Sequence, residues 1–203
     1  MSLRLHAASA SPFARKARVL LHEAGLVERV ETVAASGTPL EPGTLPLALN
    51  PLGKIPCLER PDGPALYDSR VICRYLDDLA GSGLYPAVPR LWETLTLEAI
   101  GDGIAEAALA IVYEARLRPE ALRMPAIVEA QWAKVARTLD ALEARWMPML
   151  AGPLDAGQIA VGCGLFYLDL RIADRRWRDG RPALAGWAGR IAERPSFVAT
   201  RAE

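Results

Sequence analysis

The chain has 203 residues, of which 51% are hydrophobic, and its 24 basic and 24 acidic side chains give a formal net charge of zero at pH 7. This length and apolar content suffice for one large domain or two small ones with a sizeable core. The charge balance argues against a nucleic-acid-binding or membrane-surface protein, because both need a basic face.

The cysteines and the hydrophobic segments indicate a cytoplasmic protein. Cys57, Cys73 and Cys163 show no CxxC or metal-ligand spacing, so we expect no metal site and a reducing compartment. Pro12 and nearby basic residues interrupt any signal-like hydrophobic region at the N-terminus. There is also no run of about 20 apolar residues that would predict a membrane span.

The first eighty residues alternate short strands with helices. Periodicity predicts strands over 3–7, 29–33, 56–59 and 65–67. Helices are predicted over 12–23 and 69–79, and a weaker one near 45–49. A Pro-Asp-Gly turn at 61–63 makes the last two strands a hairpin. The predicted order is β-α-β-(α)-β-β-α.

The pattern becomes wholly helical after a Gly- and Pro-rich linker over 81–89. Apolar residues recur every three or four positions over 91–111, 128–146 and 159–170, which predicts three amphipathic helices. A last short helix contains Trp187 and is expected to stop at Pro195. Asp155 and Gln158 have the spacing of a capping box at a helix start.

Three motifs stand out in the first half. Ser11-Pro12-Phe13-Ala14 follows a strand, with Ser11 as a predicted N-cap and Pro12 at the first helical position. The loop 50–56 ends in Ile55-Pro56, where proline permits a cis bond that would leave the backbone of Ile55 free to pair with a peptide ligand. Asp68-Ser69 begins the next helix. Both helix N-termini could attract an anion.

These motifs, in this order and at these intervals, resemble those of the cytosolic glutathione transferase family, of a bacterial serine type similar to omega and zeta members. The resemblance covers nearly the whole chain. It implies an α/β thioredoxin-like domain that binds glutathione over 1–80, a linker over 81–89, and an all-α domain over 90–203 that lines the site of an electrophile.

The resemblance also implies a catalytic role for Ser11. A free thiol has a pKa of about 8.5 and is mostly protonated at neutral pH. A hydroxyl donor could lower that pKa by roughly one to two units, since a hydrogen bond to a charged group is worth about 1.5–3 kcal/mol. Ser11 is the expected donor to the glutathione sulfur, and Ser9 is the alternative if the loop geometry exchanges them. Cys57 is expected to be a core residue.

The remaining glutathione contacts are assigned from the same resemblance. Ile55, beside Pro56, would pair its backbone with the cysteinyl part of the tripeptide. Asp68 and Ser69 would bind the γ-glutamyl end. Lys54 would approach the glycyl carboxylate or simply be solvated.

The electrophile is expected between the two domains, where ligand sites are common. Phe13, Tyr113 and Arg116 are candidates for lining this second-substrate pocket. Gly101 and Gly103 lie within a predicted helix, at a cost of about 1 kcal/mol each relative to Ala, and would permit close helix approach.

The predicted function is that of a glutathione S-transferase, a detoxification enzyme that activates the thiol of glutathione for attack on a small electrophile. Two alternatives stay open: a glutathione-dependent isomerase or peroxidase, and a catalytically silent relative that serves as an interaction module. The resemblance further implies a homodimer, with glutathione as co-substrate. Neither nucleic acid nor a membrane is an expected partner.

Overall fold

A computed structural model describes residues 3–202 of the chain. Backbone proximity divides them into two compact units. The first contains the chain up to Val88 together with the segment that begins at Pro195, and the second is Pro89–Arg194. None of the helices within residues 3–202 is long and apolar enough to cross a membrane.

The first unit is built on a mixed sheet with the strand order β2-β1-β3. Its strands are β1 (Leu3–Ala7), β2 (Val30–Ala34) and β3 (Cys57–Glu59). β1 runs parallel to β2 and antiparallel to β3. The strand expected over 65–67 is reduced to a single antiparallel bridge between Leu58 and Leu66. The ladder is short because Pro64 has no amide to extend it and Asp68 already begins the next helix.

Two helices of the first unit have the predicted starts. They are α1 (Pro12–Glu23) and α2 (Ser69–Ala80), and they pack against each other. The helix expected near 45–49 is absent, because that segment forms turns. The amides of Leu49 and Asn50 both reach the carbonyl of Pro46, and Pro51, which has no amide, prevents a second turn.

The C-terminal segment packs on α1. Pro195 does not simply end the preceding helix, since it begins a short helix of its own, Pro195–Ala199. Arg15 donates a hydrogen bond of 3.0 Å to the carbonyl of Phe197, and Ser196 donates one to the carboxylate of Glu23. Pro at the first helical position removes only an amide that would have no partner anyway.

The second unit is helical. Its helices are α3 (Arg90–Arg116), α4 (Pro125–Ala141), α5 (Met147–Leu150), α6 (Ala156–Arg171) and α7 (Pro182–Ala192), with a π-helical turn over Leu142–Trp146. We number the short helix Pro195–Ala199 of the first unit α8. α6 is buried along most of its length and packs along α3. The predicted fold class, a small α/β unit followed by a helical one, is confirmed.

Glycines set the distance between α3 and α6. A methyl carbon placed on Gly157 would lie 2.5 Å from the carbonyl oxygen of Thr94, and one on Gly164 would lie 2.7 Å from that of Gly101. The two backbones are therefore in contact. Because residues later in α6 meet residues later in α3, the two helices run in the same direction.

Asp155 caps α6 but forms only half of the predicted capping box. Its carboxylate accepts a hydrogen bond of 3.0 Å from the amide of Gln158. The same carboxylate accepts bonds from the hydroxyl of Thr94 at 3.0 Å and the guanidinium of Arg90 at 3.4 Å. The side chain of Gln158 instead donates to the carbonyls of the preceding loop, at Met149, Gly152 and Pro153.

Candidate functional site

Ser11 has the geometry of an N-cap at the start of α1. Its backbone is extended, with φ −81° and ψ 122°, and its Oγ accepts a hydrogen bond of 3.3 Å from the amide of Ala14. Because Oγ is the acceptor in that bond, the hydroxyl proton is still available. Ser11 Oγ donates this proton to no group within residues 3–202. Capping and donation to a ligand are therefore compatible. Ser9, the alternative donor, is exposed in the preceding turn.

The loop before β3 is organised by Asn50, which is only 1% exposed. Its side chain donates 2.8 Å to the carbonyl of Lys54 and accepts 3.1 Å from the amide of Leu52. Gly53 adopts the positive φ of +59° that this turn requires. Asn50 opens the motif 50–56, and its role in the loop was not predicted, although an Asn shortly before Pro and Gly is a turn signal.

The Ile55-Pro56 bond is cis. Neither the amide nor the carbonyl of Ile55 forms a hydrogen bond with any group in the described part of the chain. Ile55 is half-buried, Pro56 is buried, and the Lys54 side chain is exposed. An unpaired amide and carbonyl on one residue can bind an extended peptide backbone.

Asp68 caps α2 in the same way that Ser11 caps α1. Its carboxylate accepts a hydrogen bond of 2.9 Å from the amide of Arg70. Asp68 is exposed, whereas Ser69 is 2% exposed and its hydroxyl has no hydrogen-bond partner within residues 3–202. The Tyr67-Asp68 bond is also cis.

The register of the sheet brings these three motifs to one end of it. Cys57 pairs with His6, so Pro56 lies at the end of β1 from which the chain enters α1 through Ser11. Leu66 pairs with Leu58 in the antiparallel sense, so Asp68, two residues on, lies at the same end as Pro56. Two capped helix N-termini and one unpaired backbone edge thus share one region. Such a region suits an extended ligand with negatively charged groups.

Cys57 is a core residue, as predicted, and is fully buried. Burial, and then the negative charge of Glu59, raise the pKa of the Cys57 thiol to about 11. The thiol is therefore protonated at neutral pH and is not a nucleophile. Cys73 and Cys163 are also free and buried. No group of three or more His, Cys, Asp or Glu side chains among residues 3–202 is arranged to hold a metal ion.

The residues predicted to line an electrophile pocket fall in different units. Phe13 is half-buried on α1 of the first unit, while Tyr113 is half-buried and Arg116 exposed in the last turns of α3 in the second. Their grouping in one pocket stays a prediction. Within the second unit, Tyr113 and Arg116 of α3 lie within electrostatic range of Tyr167 of α6, which packs along α3.

Comparison with known proteins agrees with this architecture. The model of the glutathione S-transferase N-terminal domain matches residues 10–79, and that of the C-terminal domain matches residues 125–190. A glutathione transferase family member from Pseudomonas fluorescens Pf-5 is 42% identical over the full length of both chains. Its structures with bound glutathione and with bound S-(propanoic acid)-glutathione superpose with TM-scores of 0.96 and 0.93.

Two further relatives span nearly the whole chain. The GST-like protein YibF of Escherichia coli K12 is 29% identical over 98% of both chains. Glutathione S-transferase 3 of Zea mays is 31% identical over 98% of this chain and 92% of its own. At the level of the family, the resemblance is confirmed: the chain belongs to the glutathione S-transferase family.

Proposed function

We propose that this protein is a glutathione transferase of the serine type, in which Ser11 stabilises the glutathione thiolate for attack on a small electrophile. The observation that carries the proposal is the meeting, at one end of the sheet, of two groups that have no partner within residues 3–202 and one helix N-terminus. These are the undonated hydroxyl of Ser11, the unpaired backbone of Ile55, and the capped N-terminus at Asp68. The glutathione bound in the Pseudomonas relative supports the same ligand here.

The chemistry requires a thiolate near neutral pH. With a pKa of about 8.5, roughly 1% of a free thiol is ionised at pH 6.5. One hydrogen bond from Ser11 to the sulfur, worth about 1.5–3 kcal/mol, would lower the pKa by one to two units and raise that fraction about tenfold or more. The N-terminus of α1 would add about 0.3–1 kcal/mol of charge stabilisation.

In this proposal each motif binds a different part of glutathione. The amide and carbonyl of Ile55, held beside Pro56, pair with the cysteinyl backbone. Asp68 and Ser69 bind the γ-glutamyl amine and carboxylate, for which the exposed carboxylate and the unpaired hydroxyl are suitable partners. The exposed ammonium of Lys54 is the candidate for the glycyl carboxylate.

We assign the two regions of the chain different tasks. We assign residues 1–80 to the thioredoxin-like domain that binds glutathione, residues 81–89 to the linker, and residues 90–203 to the helical domain that lines the electrophile site, with the segment from Pro195 packed on the first unit. Phe13, Tyr113 and Arg116 are the proposed residues of that site. The S-substituted glutathione bound in the Pseudomonas relative supports a site with room beyond the sulfur.

We further propose that the protein is a cytoplasmic homodimer with a role in detoxification. Three free, buried cysteines are typical of a reducing compartment. Trp92 on α3 is 62% exposed, and an aromatic side chain with so much exposed surface is typical of a face that a second subunit covers.

The test separates glutathione binding from chemistry. Calorimetric titration of the wild type with glutathione should show binding, and turnover of 1-chloro-2,4-dinitrobenzene at pH 6.5 should fall at least tenfold in Ser11→Ala while glutathione still binds. Ser11→Gly removes the hydroxyl but costs the helix cap only a few tenths of a kcal/mol, so it should lose activity equally. Ser9→Ala is the matched control and should retain activity.

Each outcome favours a different function. Absence of glutathione binding by the wild type would favour a silent interaction module. Binding without conjugation, together with activity on a hydroperoxide or on a cis–trans isomerisable substrate, would favour the peroxidase or isomerase. Loss of activity in Ser9→Ala but not in Ser11→Ala would show that Ser9, and not Ser11, donates to the glutathione sulfur.

A further inference from the structure

The C-terminal segment, residues 195–200, binds α1 near both of its ends. In the first turn of α1, Nη2 of Arg15 donates a hydrogen bond of 3.0 Å to the carbonyl of Phe197. At the last residue of α1, the carboxylate of Glu23 accepts a hydrogen bond from the hydroxyl of Ser196. Arg15 and Glu23 are eight positions apart, which is about 12 Å along the helix axis. One short segment thus holds two well-separated points of α1.

The C-terminal segment is a fixed anchor because it is buried. Phe197 and Thr200 are fully buried, and Ser196 is 3% exposed. The hydroxyl of Thr200 donates a hydrogen bond of 2.8 Å to the carbonyl of Ser196. Nε of Arg15 lies 3.5 Å from that hydroxyl, and the guanidinium carbon lies 5.7 Å from the centroid of the Phe197 ring. Close-packed side chains keep one arrangement, so a group bonded to this segment has little freedom to move.

Arg15 connects this anchor to Ser11. The amide of Arg15 donates a hydrogen bond of 2.9 Å to the carbonyl of Ser11, which is the first backbone bond of α1. Ser11 Oγ accepts a hydrogen bond from the amide of Ala14 in the same turn. The first turn of a helix is prone to fray, because its leading amides have no partner within the helix. A side chain of this turn that is bonded to a buried segment limits that motion.

The proposed chemistry depends on where the Ser11 hydroxyl lies. A hydrogen bond weakens steeply as its distance and angle depart from the optimum. Groups that take part in a reaction must be held within about 0.5 Å of the productive geometry. The bonds of Arg15, one turn from Ser11, therefore affect the sulfur contact more than an equally strong bond at Glu23, at the other end of α1.

We propose that Arg15 is a positioning residue for the glutathione transferase reaction. Its side chain binds the first turn of α1 to the C-terminal segment, and the hydroxyl of Ser11 is thereby held against the glutathione sulfur. This inference rests on the proposed function. It extends the groups on which the reaction depends to residues 195–200, which lie outside the three glutathione-binding motifs.

The first test measures the pKa of bound glutathione from the ultraviolet absorbance of its thiolate. Arg15→Met keeps a long apolar stem but loses both hydrogen bonds, and it should raise that pKa by about 0.5–1 unit, a threefold to tenfold loss of thiolate at about pH 6.5. The kcat/KM for 1-chloro-2,4-dinitrobenzene should fall by the same factor there and recover at a pH above both pKa values. Arg15→Lys, which keeps a donor for the Phe197 carbonyl, should raise the pKa less.

Ser196→Ala is the matched control for stability. It removes the bond to Glu23 at the far end of α1 and leaves the contacts of Arg15 in place. Both Ser196→Ala and Arg15→Met should lower Tm, since each loses hydrogen bonds of the C-terminal segment. Only Arg15→Met should move the pKa of bound glutathione and the pH profile, which a residue that merely stabilises the fold would leave unchanged.

Salt distinguishes placement of the hydroxyl from a direct effect of charge, because Arg15→Met also removes a positive charge from α1. Raising NaCl from about 0.1 M to about 1 M shortens the Debye length from about 10 Å to about 3 Å. The difference in the pKa of bound glutathione between wild type and Arg15→Met should persist, since the position of a hydroxyl is not screened. A difference that disappears in high salt would overturn the positioning role in favour of direct charge.

Two further results would overturn this role. They are an unchanged pKa of bound glutathione and an unchanged pH profile in Arg15→Met, or an equal rise of that pKa in Ser196→Ala. Failure of the proposed function has a different signature: the wild type would not bind glutathione, or Ser11→Ala would leave the pKa of bound glutathione at its wild-type value.

Discussion

Two glycines of α3, two positions apart, should respond in opposite directions to the same substitution. A methyl carbon on Gly101 would lie 2.5 Å from both the carbonyl oxygen of Ala160 and the amide nitrogen of Val161 in α6. A methyl carbon on Gly103 would have nothing within 4 Å, and Gly103 is exposed. Gly101→Ala and Gly103→Ala therefore share the change in helix propensity and differ only in packing.

The magnitudes follow from these contacts. Ala is favoured over Gly within a helix by about 1 kcal/mol, so Gly103→Ala should stabilise the protein by roughly that amount. At Gly101 the same gain in helix propensity is opposed by overpacking against the backbone of α6. Backbone atoms within a helix cannot relieve the contact by changing rotamer, as a side chain can. Overpacking typically costs 1–3 kcal/mol and here should reach or exceed the upper value, leaving a net loss of about 2 kcal/mol or more.

Thermal unfolding followed by circular dichroism measures both effects. For a chain of this size 1 kcal/mol corresponds to about 2–4 °C, so Gly103→Ala should raise Tm by that amount and Gly101→Ala should lower it by about 4–8 °C. Urea midpoints at constant m-value provide the check on stability. A Gly101→Ala variant as stable as the wild type would refute the close contact of α3 with α6.

Three other predictions follow from the described contacts. Asp155→Ala should lower the free energy of unfolding by about 2–4 kcal/mol in urea titrations, because it removes the cap of α6 and the carboxylate that accepts from the buried Thr94 hydroxyl. Asp155→Asn keeps a cap and should lose less stability. Equal losses in the two variants would contradict this account. Because the pKa of Cys57 is raised, the thiol ionises at lower pH in the unfolded chain than in the folded one. The contribution of this thiol to the free energy of unfolding is therefore fully present below about pH 9 and is lost as the pH rises to about 11. Wild type should therefore lose about 2–3 kcal/mol more than Cys57→Ala between those pH values, and parallel curves would show an ordinary thiol. Asp68→Asn should retain the cap of α2 but weaken glutathione binding about tenfold by calorimetry, whereas unaltered affinity would remove Asp68 from the ligand site.

Local sequence determined the helix starts and the loops that carry the proposed glutathione site. Ser11-Pro12 and Asp68-Ser69 predict helix N-termini because an oxygen-bearing side chain satisfies amides that the helix leaves free, and this depends on neighbours in sequence alone. The first helix has the predicted bounds for the same reason. The prediction of a helix near 45–49 was wrong, since Pro46 and Pro51 restrict the backbone more strongly than a short apolar run favours a helix.

Only the tertiary structure decided which distant residues meet. The register of β1, β3 and Leu66 places Ser11, Pro56 and Asp68 at one end of the sheet. That register depends on the pairing of β1 with β3, which joins residues far apart in sequence, such as His6 and Cys57. The close contact of α3 with α6 likewise brings Gly101 against Ala160, two residues that periodicity could not pair. A helical pattern predicts which face of a helix is buried, but the packing of the whole unit determines which element that face contacts.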